Sequence, residues 1–156
     1  MICTITNLQR AVRINQPAWK TLTGWLMTKT QAMDPSRVWL ECSVVLVGHR
    51  RMTEINEQVL HHEGTTDVIT FHYPSLPGEP AGWRGEIVIN TQEAIEVGAG
   101  RSGGVARELA LYLAHGCQHL GGADDQTPAE RAAMARRQTG WLRQADRLGL
   151  IQPLLK

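Results

Sequence analysis

The stretch LAHGCQHLGGADDQ, residues 113–126, contains the residues whose types and spacing best fit metal chemistry. His115 and His119 are four positions apart, so on a helix their imidazole rings project from one face and can reach a single metal ion. The pair alone is weak evidence, because two histidines at this spacing more often form a polar edge beside a hydrophobic core. The residues that follow decide between these interpretations.

Two glycines and two aspartates follow the second histidine. Gly121 and Gly122 are typical of a helix end, where the chain can adopt a positive φ and turn back toward the histidine face. Asp124 and Asp125 come directly after this turn. The layout HxxxHxxGxxD therefore predicts a site with three protein ligands, the third six residues after His119, and a fourth metal position open for water.

Two helices must position these residues. The segment VARELALYLAHGCQHL, after Ser102, has the apolar periodicity of the helix that would carry both histidines. The following helix has the clearest start in the chain, because Thr127 is a good cap, Pro128 suits the first turn and a glutamate lies three residues after the cap. We expect this last helix to end near Leu148, before Gly149.

The remaining pattern alternates strands and helices, which predicts an α/β or α+β fold with a small mixed sheet packed against helices. In the strand VWLECSVVLVG we expect one shared face for Val38, Leu40, Cys42, Val44 and Leu46. In the short helix predicted over Thr53–Leu60 we expect Ile55 and Val59 to point inward. The other predicted elements are an extended segment over residues 1–14, a helix from Pro17 to about residue 31, the strands DVITFHY and GEIVIN with a Pro/Gly-rich loop (74–85) between them, and a helix from Asn90 that is interrupted at GAGRSGG.

Composition sets broad limits on function. The 156 residues are 42% hydrophobic and 20% charged with a net charge of +1, which predicts one soluble globular domain over residues 1–156 and no general affinity for nucleic acid. Three scattered cysteines favour a reducing compartment. The N-terminal residues do not resemble a signal peptide, and no apolar run could cross a bilayer. We expect a cytoplasmic protein.

Several motifs together resemble one family. HGCQHLGGADD is similar to the HGxLHLxGYDH signature of the YbeY family, the zinc-dependent endoribonucleases of ribosomal RNA maturation. GTTDVITFHYP resembles that family's PTDVLSFP segment, and RGEIVIN resembles its LGDIVIS strand. The pair Ile55-Asn56 falls where the family has Leu-Asn. The order and spacing of the four motifs agree over residues 50–130.

The resemblance implies a mixed four-stranded sheet and one zinc ion held by His115, His119 and Asp125. The two histidines would act in catalysis through a water molecule on the metal. Asp125 stands where the family usually has a third histidine, and Asp124 matches a supporting or turn aspartate. A carboxylate ligand adds negative charge, which makes a metal-bound water less acidic and also suits iron or manganese.

Two further positions bear on the chemistry. Gly116 stands where zinc proteases of the HExxH type have a glutamate base, which argues against peptide hydrolysis by that mechanism and would leave room beside the metal for a bulky substrate. The family's Tyr-Arg pair corresponds to Val59-Leu60 here, followed by His61 and His62. The arginine that would contact phosphate is therefore missing, and one of these histidines would partly replace it.

Other residues are candidate substrate contacts because of their side-chain type and their position in the predicted elements. Thr66 and Asp67 precede a strand that matches the family, and Arg84 and Arg101 flank the elements expected to form the cleft. Trp83, in the predicted loop, could stack on a base. Glu108 would either orient a ligand histidine or form a surface ion pair. The arginines of the final helix would either solvate an outer face or form an RNA-facing strip: Arg131, Arg136, Arg137, Arg143 and Arg147.

The favoured hypothesis is a single-strand-directed, zinc-dependent endoribonuclease that acts in ribosomal RNA maturation and ribosome quality control. Its partners would be ribosomal RNA and ribosome-associated proteins, with no membrane and no DNA. One alternative is a ribosome-associated RNA-binding assembly factor in which the metal is structural. Another is a metal-dependent hydrolase of a different substrate, because the chemistry of such a metal site is general.

Overall fold

A mixed four-stranded sheet lies at the centre of the protein. The computed structural model describes residues 1–156 and contains strands β1 (Ile2–Asn7), β2 (Trp39–Val47), β3 (Val68–Pro74) and β4 (Trp83–Asn90). Their order is β1-β2-β4-β3, with β1, β2 and β4 parallel and β3 antiparallel to β4 at one edge. The expected mixed sheet of four strands is confirmed.

Five helices pack on the two faces of this sheet: α1 (Gln16–Met33), α2 (His49–Leu60), α3 (Thr91–Gly98), α4 (Gly104–Leu120) and α5 (Pro128–Arg147), followed by a 3₁₀ helix (Gln152–Leu154). The main core joins alternate residues of β2 and β4 to the apolar faces of α1, α4 and α5. A smaller cluster on the opposite face packs α2 on the sheet through Val47, Met52, Ile69 and Val88. None of the helices is long and apolar enough to cross a membrane.

Helix α4 lies against the sheet because a glycine permits close contact. A Cβ atom at Gly116 would lie 2.8 Å from Ile87 Cγ2 and 3.1 Å from Thr70 Cγ2. Any side chain there would push the helix away from β3 and β4. The expectation that Gly116 leaves room for a substrate is therefore wrong, since this position faces the sheet.

The first part of β2 departs from the expected alternation. Its pairing with β4 is irregular between Trp39 and Glu41. This irregularity reverses which side chains of the strand face the core. Trp39 is buried, Leu40 is only partly buried and Val38 is 53% exposed. The expected shared face holds only from Cys42 onward.

Helix α2 begins at His49, four residues before the predicted start, because Gly48 provides no side-chain cap that the sequence would signal. Its inner face is formed by Met52 and Asn56, and its last turn projects into solvent. Val59 is 53% exposed, so its predicted inward position is wrong.

Candidate metal centre

Helix α4 presents both predicted histidines on one face near its carboxyl end. The Nε2 atoms of His115 and His119 are 3.0 Å apart, and the two rings meet edge to face. The side chains are 28% and 26% exposed, whereas most of the surrounding helix is buried. The pair therefore lies where the core meets solvent.

The turn after α4 returns the chain to these histidines. Gly122 has a φ of +91°, and its N–H donates to the carbonyl of His119 at 3.0 Å. A left-handed glycine of this kind ends many helices and reverses the chain direction. As a result, Asp125 Oδ2 lies 3.6 Å from His119 Nε2 and 3.7 Å from His115 Nε2.

The loop that carries Asp125 is held on both sides. Asp124 Oδ1 accepts the N–H of Asp125 at 2.8 Å, which makes Asp124 a turn residue. Arg131 donates to the carbonyl oxygens of Asp125 and Gln126 at 3.1 Å each. The predicted capping box at Thr127 then starts α5. These bonds restrain the position of the carboxylate before any metal binds.

The three side chains fit one small ion. Their ligand atoms all lie within 4.8 Å of one another, and the individual separations are 3.0, 3.6 and 3.7 Å. Zinc bonds of about 2.0–2.1 Å in a tetrahedron place neighbouring ligand atoms about 3.3 Å apart. The arrangement thus needs only small adjustments to hold zinc, with the fourth direction left to a small molecule.

A hydrogen bond fixes the tautomer of His119, and burial favours the neutral form of His115. His119 Nδ1 lies 3.0 Å from the carbonyl oxygen of Ala123, which can only accept, so Nδ1 carries the hydrogen and Nε2 the lone pair. Burial lowers the pKa of His115 and the nearby His119 lowers it further, while Asp67 and Asp125 act in the opposite direction. Neutral imidazole is the form that binds metal.

A cavity of about 380 Å³ opens beside these side chains. One wall is the start of β3, where Asp67 Oδ1 accepts the N–H of Val68 at 2.8 Å and the hydroxyl of Thr66 at 3.2 Å. The opposite wall comes from α2 and the loop after it, with Asn56, Leu60 and His62. The size is within the roughly 300–1,000 Å³ of typical ligand sites, so a nucleotide-sized group can approach the candidate ligands.

Most of the chain matches a known protein family. The family described as Endoribonuclease YbeY matches residues 4–146. The chain belongs to the YbeY family. Relatives named Endoribonuclease YbeY include one from Clavibacter michiganensis subsp. michiganensis, which is 31% identical over 136 residues that make up 82% of this chain and 85% of the relative.

Other YbeY relatives match over shorter segments. The one from Elusimicrobium minutum is 38% identical over 96 residues, 60% of this chain and 66% of the relative. The one from Rhodopirellula baltica is 43% identical over 84 residues, 53% of this chain and 42% of the relative. The chain therefore spans less than two thirds of the length of these two relatives.

The fold also matches a solved structure. The solution structure of TM1509 from Thermotoga maritima superposes with a TM-score of 0.58, covering 91% of this chain and 87% of that one. The sequences are 21% identical, so the likeness shows a shared fold.

Two departures from the YbeY signature lie at the cavity. Asp125 takes the last signature position, and Leu60, where the resemblance places an arginine, lines the wall. His62 lines the same cavity. His61 instead ends α2 with a φ of +56°, is exposed and lies outside the cavity, so its contact with substrate stays a prediction.

The two arginines predicted to contact phosphate also lie outside the cavity. Arg84 donates to Glu79 at 2.8 Å, and Arg101 pairs with Glu108 at 3.2 Å. Each guanidinium is already compensated by a carboxylate. Glu108 is only 4% exposed but its partner Arg101 is 60% exposed, so this ion pair lies at the edge of the interior and holds the Glu108 carboxylate toward Arg101.

Other basic and aromatic candidates of the YbeY chain have structural contacts. Trp83 belongs to β4, and the Arg37 guanidinium lies 4.4 Å from its ring centre, so the expected loop position is wrong. Within the arginines of α5, Arg137 donates to the buried Gln118 at 3.0 Å. The Trp83 ring is therefore covered by Arg37, and Arg137 is engaged inside the protein and does not extend into an RNA-facing strip.

A second cluster of histidine and carboxylates lies at the carboxyl end of β4. His49 Nε2 is 2.9 Å from Glu96 Oε1, and Glu93 lies close enough to share a metal ion with both. On the other side of the ring, His49 Nδ1 is 2.9 Å from the amide nitrogen of Asn90. His49 begins α2 and the two glutamates lie in α3, so this cluster joins two helices that are distant along the chain.

Two groups next to the YbeY signature residues were not predicted from the sequence. The carbonyl of Ala123 contacts His119, but a backbone group carries no sequence signal. Gln138 lies beside His115 in a second small cavity. Its signal was present in the sequence, since it is a polar residue on the apolar stripe formed by Met134 and Leu142.

Proposed function

We propose that this protein is a metal-dependent endoribonuclease that cleaves single-stranded RNA during ribosomal RNA maturation and ribosome quality control. The observation that carries the proposal is the triangle formed by His115, His119 and Asp125, whose ligand atoms lie within 4.8 Å of one another beside an open cavity. Membership of the YbeY family supports RNA as the substrate class.

Zinc is the proposed ion, and it would supply Lewis acidity toward a phosphoryl oxygen or a water molecule. His115 and His119 contribute neutral nitrogen ligands, and Asp125 contributes the negative charge that stands in place of a third imidazole. Iron or manganese also accepts this ligand set. The identity of the ion is therefore part of the test below.

The side chains of the cavity would position the RNA. Asp67 Oδ1 is held by the N–H of Val68 and the hydroxyl of Thr66, which leaves Oδ2 to accept a hydrogen bond from a ribose hydroxyl. Thr66 would contribute a second polar contact. His62 is the one basic side chain on the opposite wall, and we propose that it contacts phosphate where Leu60 provides no charge.

A second candidate function rests on that same wall. Because Leu60 replaces the arginine of the family pattern, the site has less positive charge with which to stabilise a cleaved phosphate. An RNA-binding assembly factor on the ribosome, with a metal that only stabilises the fold, would tolerate this loss.

The experiment compares cleavage and binding of a single-stranded RNA and of its duplex. Purified protein is assayed as prepared, after chelation, and after addition of zinc, manganese or iron, beside a His115→Ala variant. Cleavage that prefers the single strand, disappears on chelation and returns with one metal supports the endoribonuclease. Binding that survives chelation without any cleavage supports the assembly factor. If the protein neither cleaves nor binds RNA, a hydrolase of another substrate is indicated.

A further inference from the structure

One polar residue interrupts the inner face of α5. Met134, Gln138 and Leu142 are spaced four residues apart and lie on one side of the helix, facing α4. Met134 and Leu142 are each 3% exposed and pack in the interior. A glutamine between them brings an amide into a position where an apolar side chain would be ordinary.

The amide of Gln138 lies next to the candidate metal centre. A cavity of about 220 Å³ between α4 and α5 is lined by Gln138 together with His115, Asp125 and Arg131. The Oε1 atom of Gln138 is fully buried and has no hydrogen-bond partner. Buried acceptors in folded proteins are nearly always paired, so this oxygen requires a donor nearby.

His115 offers that donor. Its Nε2 faces His119 and Asp125, at 3.0 and 3.7 Å, which leaves Nδ1 as the other ring nitrogen. Gln138 lines the same small cavity as His115, and the distant ring N–H of a metal-binding histidine is ordinarily donated to an oxygen acceptor of this kind.

We propose that Gln138 is a positioning residue for the metal centre, whose Oε1 accepts the Nδ1–H of His115 and holds the Nε2 lone pair toward the ion. The carbonyl of Ala123 does the same for His119. Outer hydrogen bonds of this kind fix the tautomer and orientation of ligand histidines. The inference rests on the proposed metal site: zinc binding by the wild type tests the site, and the change in that binding on substitution of Gln138 tests the residue.

The first measurement is zinc affinity by competition with a chromophoric chelator, on full-length protein stripped of metal. Gln138→Met keeps the length of the side chain but removes the acceptor, and we expect it to weaken zinc binding about 10- to 100-fold. Gln138→Glu restores an acceptor and should bind zinc at least as tightly as the wild type. Gln144→Met is the matched control, because Gln144 is exposed on the same helix and bonds only to Lys29. It should leave the affinity unchanged.

The second measurement is the exchange of the His115 Nδ1–H with water in the zinc-loaded protein, followed by NMR. We expect a slowly exchanging, hydrogen-bonded proton in the wild type and in Gln138→Glu, and a rapidly exchanging one in Gln138→Met. Equal zinc affinity in wild type and Gln138→Met, or equal exchange, would overturn the proposal. If the wild type binds no metal at all, the proposed function fails instead.

Discussion

The protein contains two clusters in which histidines meet carboxylates, and their hydrogen bonds run in opposite directions. In the cluster on α4, the far nitrogen of His119 donates to the carbonyl of Ala123, so Nε2 presents a lone pair to the shared centre. In the cluster at α2, the far nitrogen of His49 faces the amide nitrogen of Asn90, which can only donate. His49 Nε2 must then carry the hydrogen, and it donates to Glu96 at 2.9 Å.

The orientation of the Asn90 amide is itself determined by the fold. Its Oδ1 accepts the N–H of Glu93 as the cap of α3, so the amide nitrogen is left for His49, Thr65 and Thr66. Proximity of ligand-type atoms therefore does not by itself make a metal site. The partner of the distant ring nitrogen decides whether the near nitrogen can bind an ion.

The largest expected difference between the clusters is in metal content. His119→Ala removes a ligand and should lower zinc affinity by more than about 100-fold, beyond the effect of losing an outer hydrogen bond. His49→Ala should bind zinc like the wild type. Metal analysis of both purified variants, with circular dichroism to confirm folding, checks this. Equal loss of zinc in the two variants would contradict the distinction.

The next largest difference between the clusters concerns their acidic residues. Asp125→Ala should weaken zinc binding about 10-fold or more, and Asp125→His should retain it, because imidazole and carboxylate are both zinc ligands. Glu93→Ala, in the other cluster, is the control and should leave zinc affinity unchanged. Calorimetric zinc titration measures all three variants, and tight binding by Asp125→Ala would remove Asp125 from the ligand set.

The second cluster should affect stability instead of metal binding. Asn90→Ala removes the buried amide that donates to His49 and the Thr65–Thr66 segment, so we expect the free energy of unfolding to fall by about 1–3 kcal/mol. Gln58→Ala, on the exposed side of α2, should change it by less than about 0.5 kcal/mol. Urea denaturation gives both values. Weakened zinc binding in a folded Asn90→Ala protein would go against this division of roles.

The smallest effect is the pH dependence of the metal-free protein. The pKa of His115 in the native state is below its ordinary 6.5, chiefly through burial. As the pH falls through 6.5, the unfolded chain takes up a proton before the native state does, so stability is lost toward acid and levels off below the native pKa. Urea denaturation between pH 5 and 8 should show a smaller slope in His115→Gln than in the wild type. An identical slope would mean that His115 is not buried as neutral imidazole.

Local features of this protein were predictable from sequence because they depend on neighbours in the chain. The spacing of His115 and His119, the positive φ at Gly122 and the capping box at Thr127 all depend on residues within one turn of each other. The resemblance to the YbeY motifs also predicted the sheet of four strands, which the structure contains. The approach of Asp125 to the histidines follows from that short loop.

The tertiary structure alone decided which distant residues meet. Arg84 and Arg101 were expected at the cavity but are paired with carboxylates outside it, and His62, not His61, lines the wall. The contact of Gln138 with His115 depends on how α5 packs against α4. Spacing along the chain determines which residues share a helix face, whereas the hydrogen-bond partner of a ring nitrogen depends on elements far apart in sequence, and that partner determines whether a histidine can bind a metal.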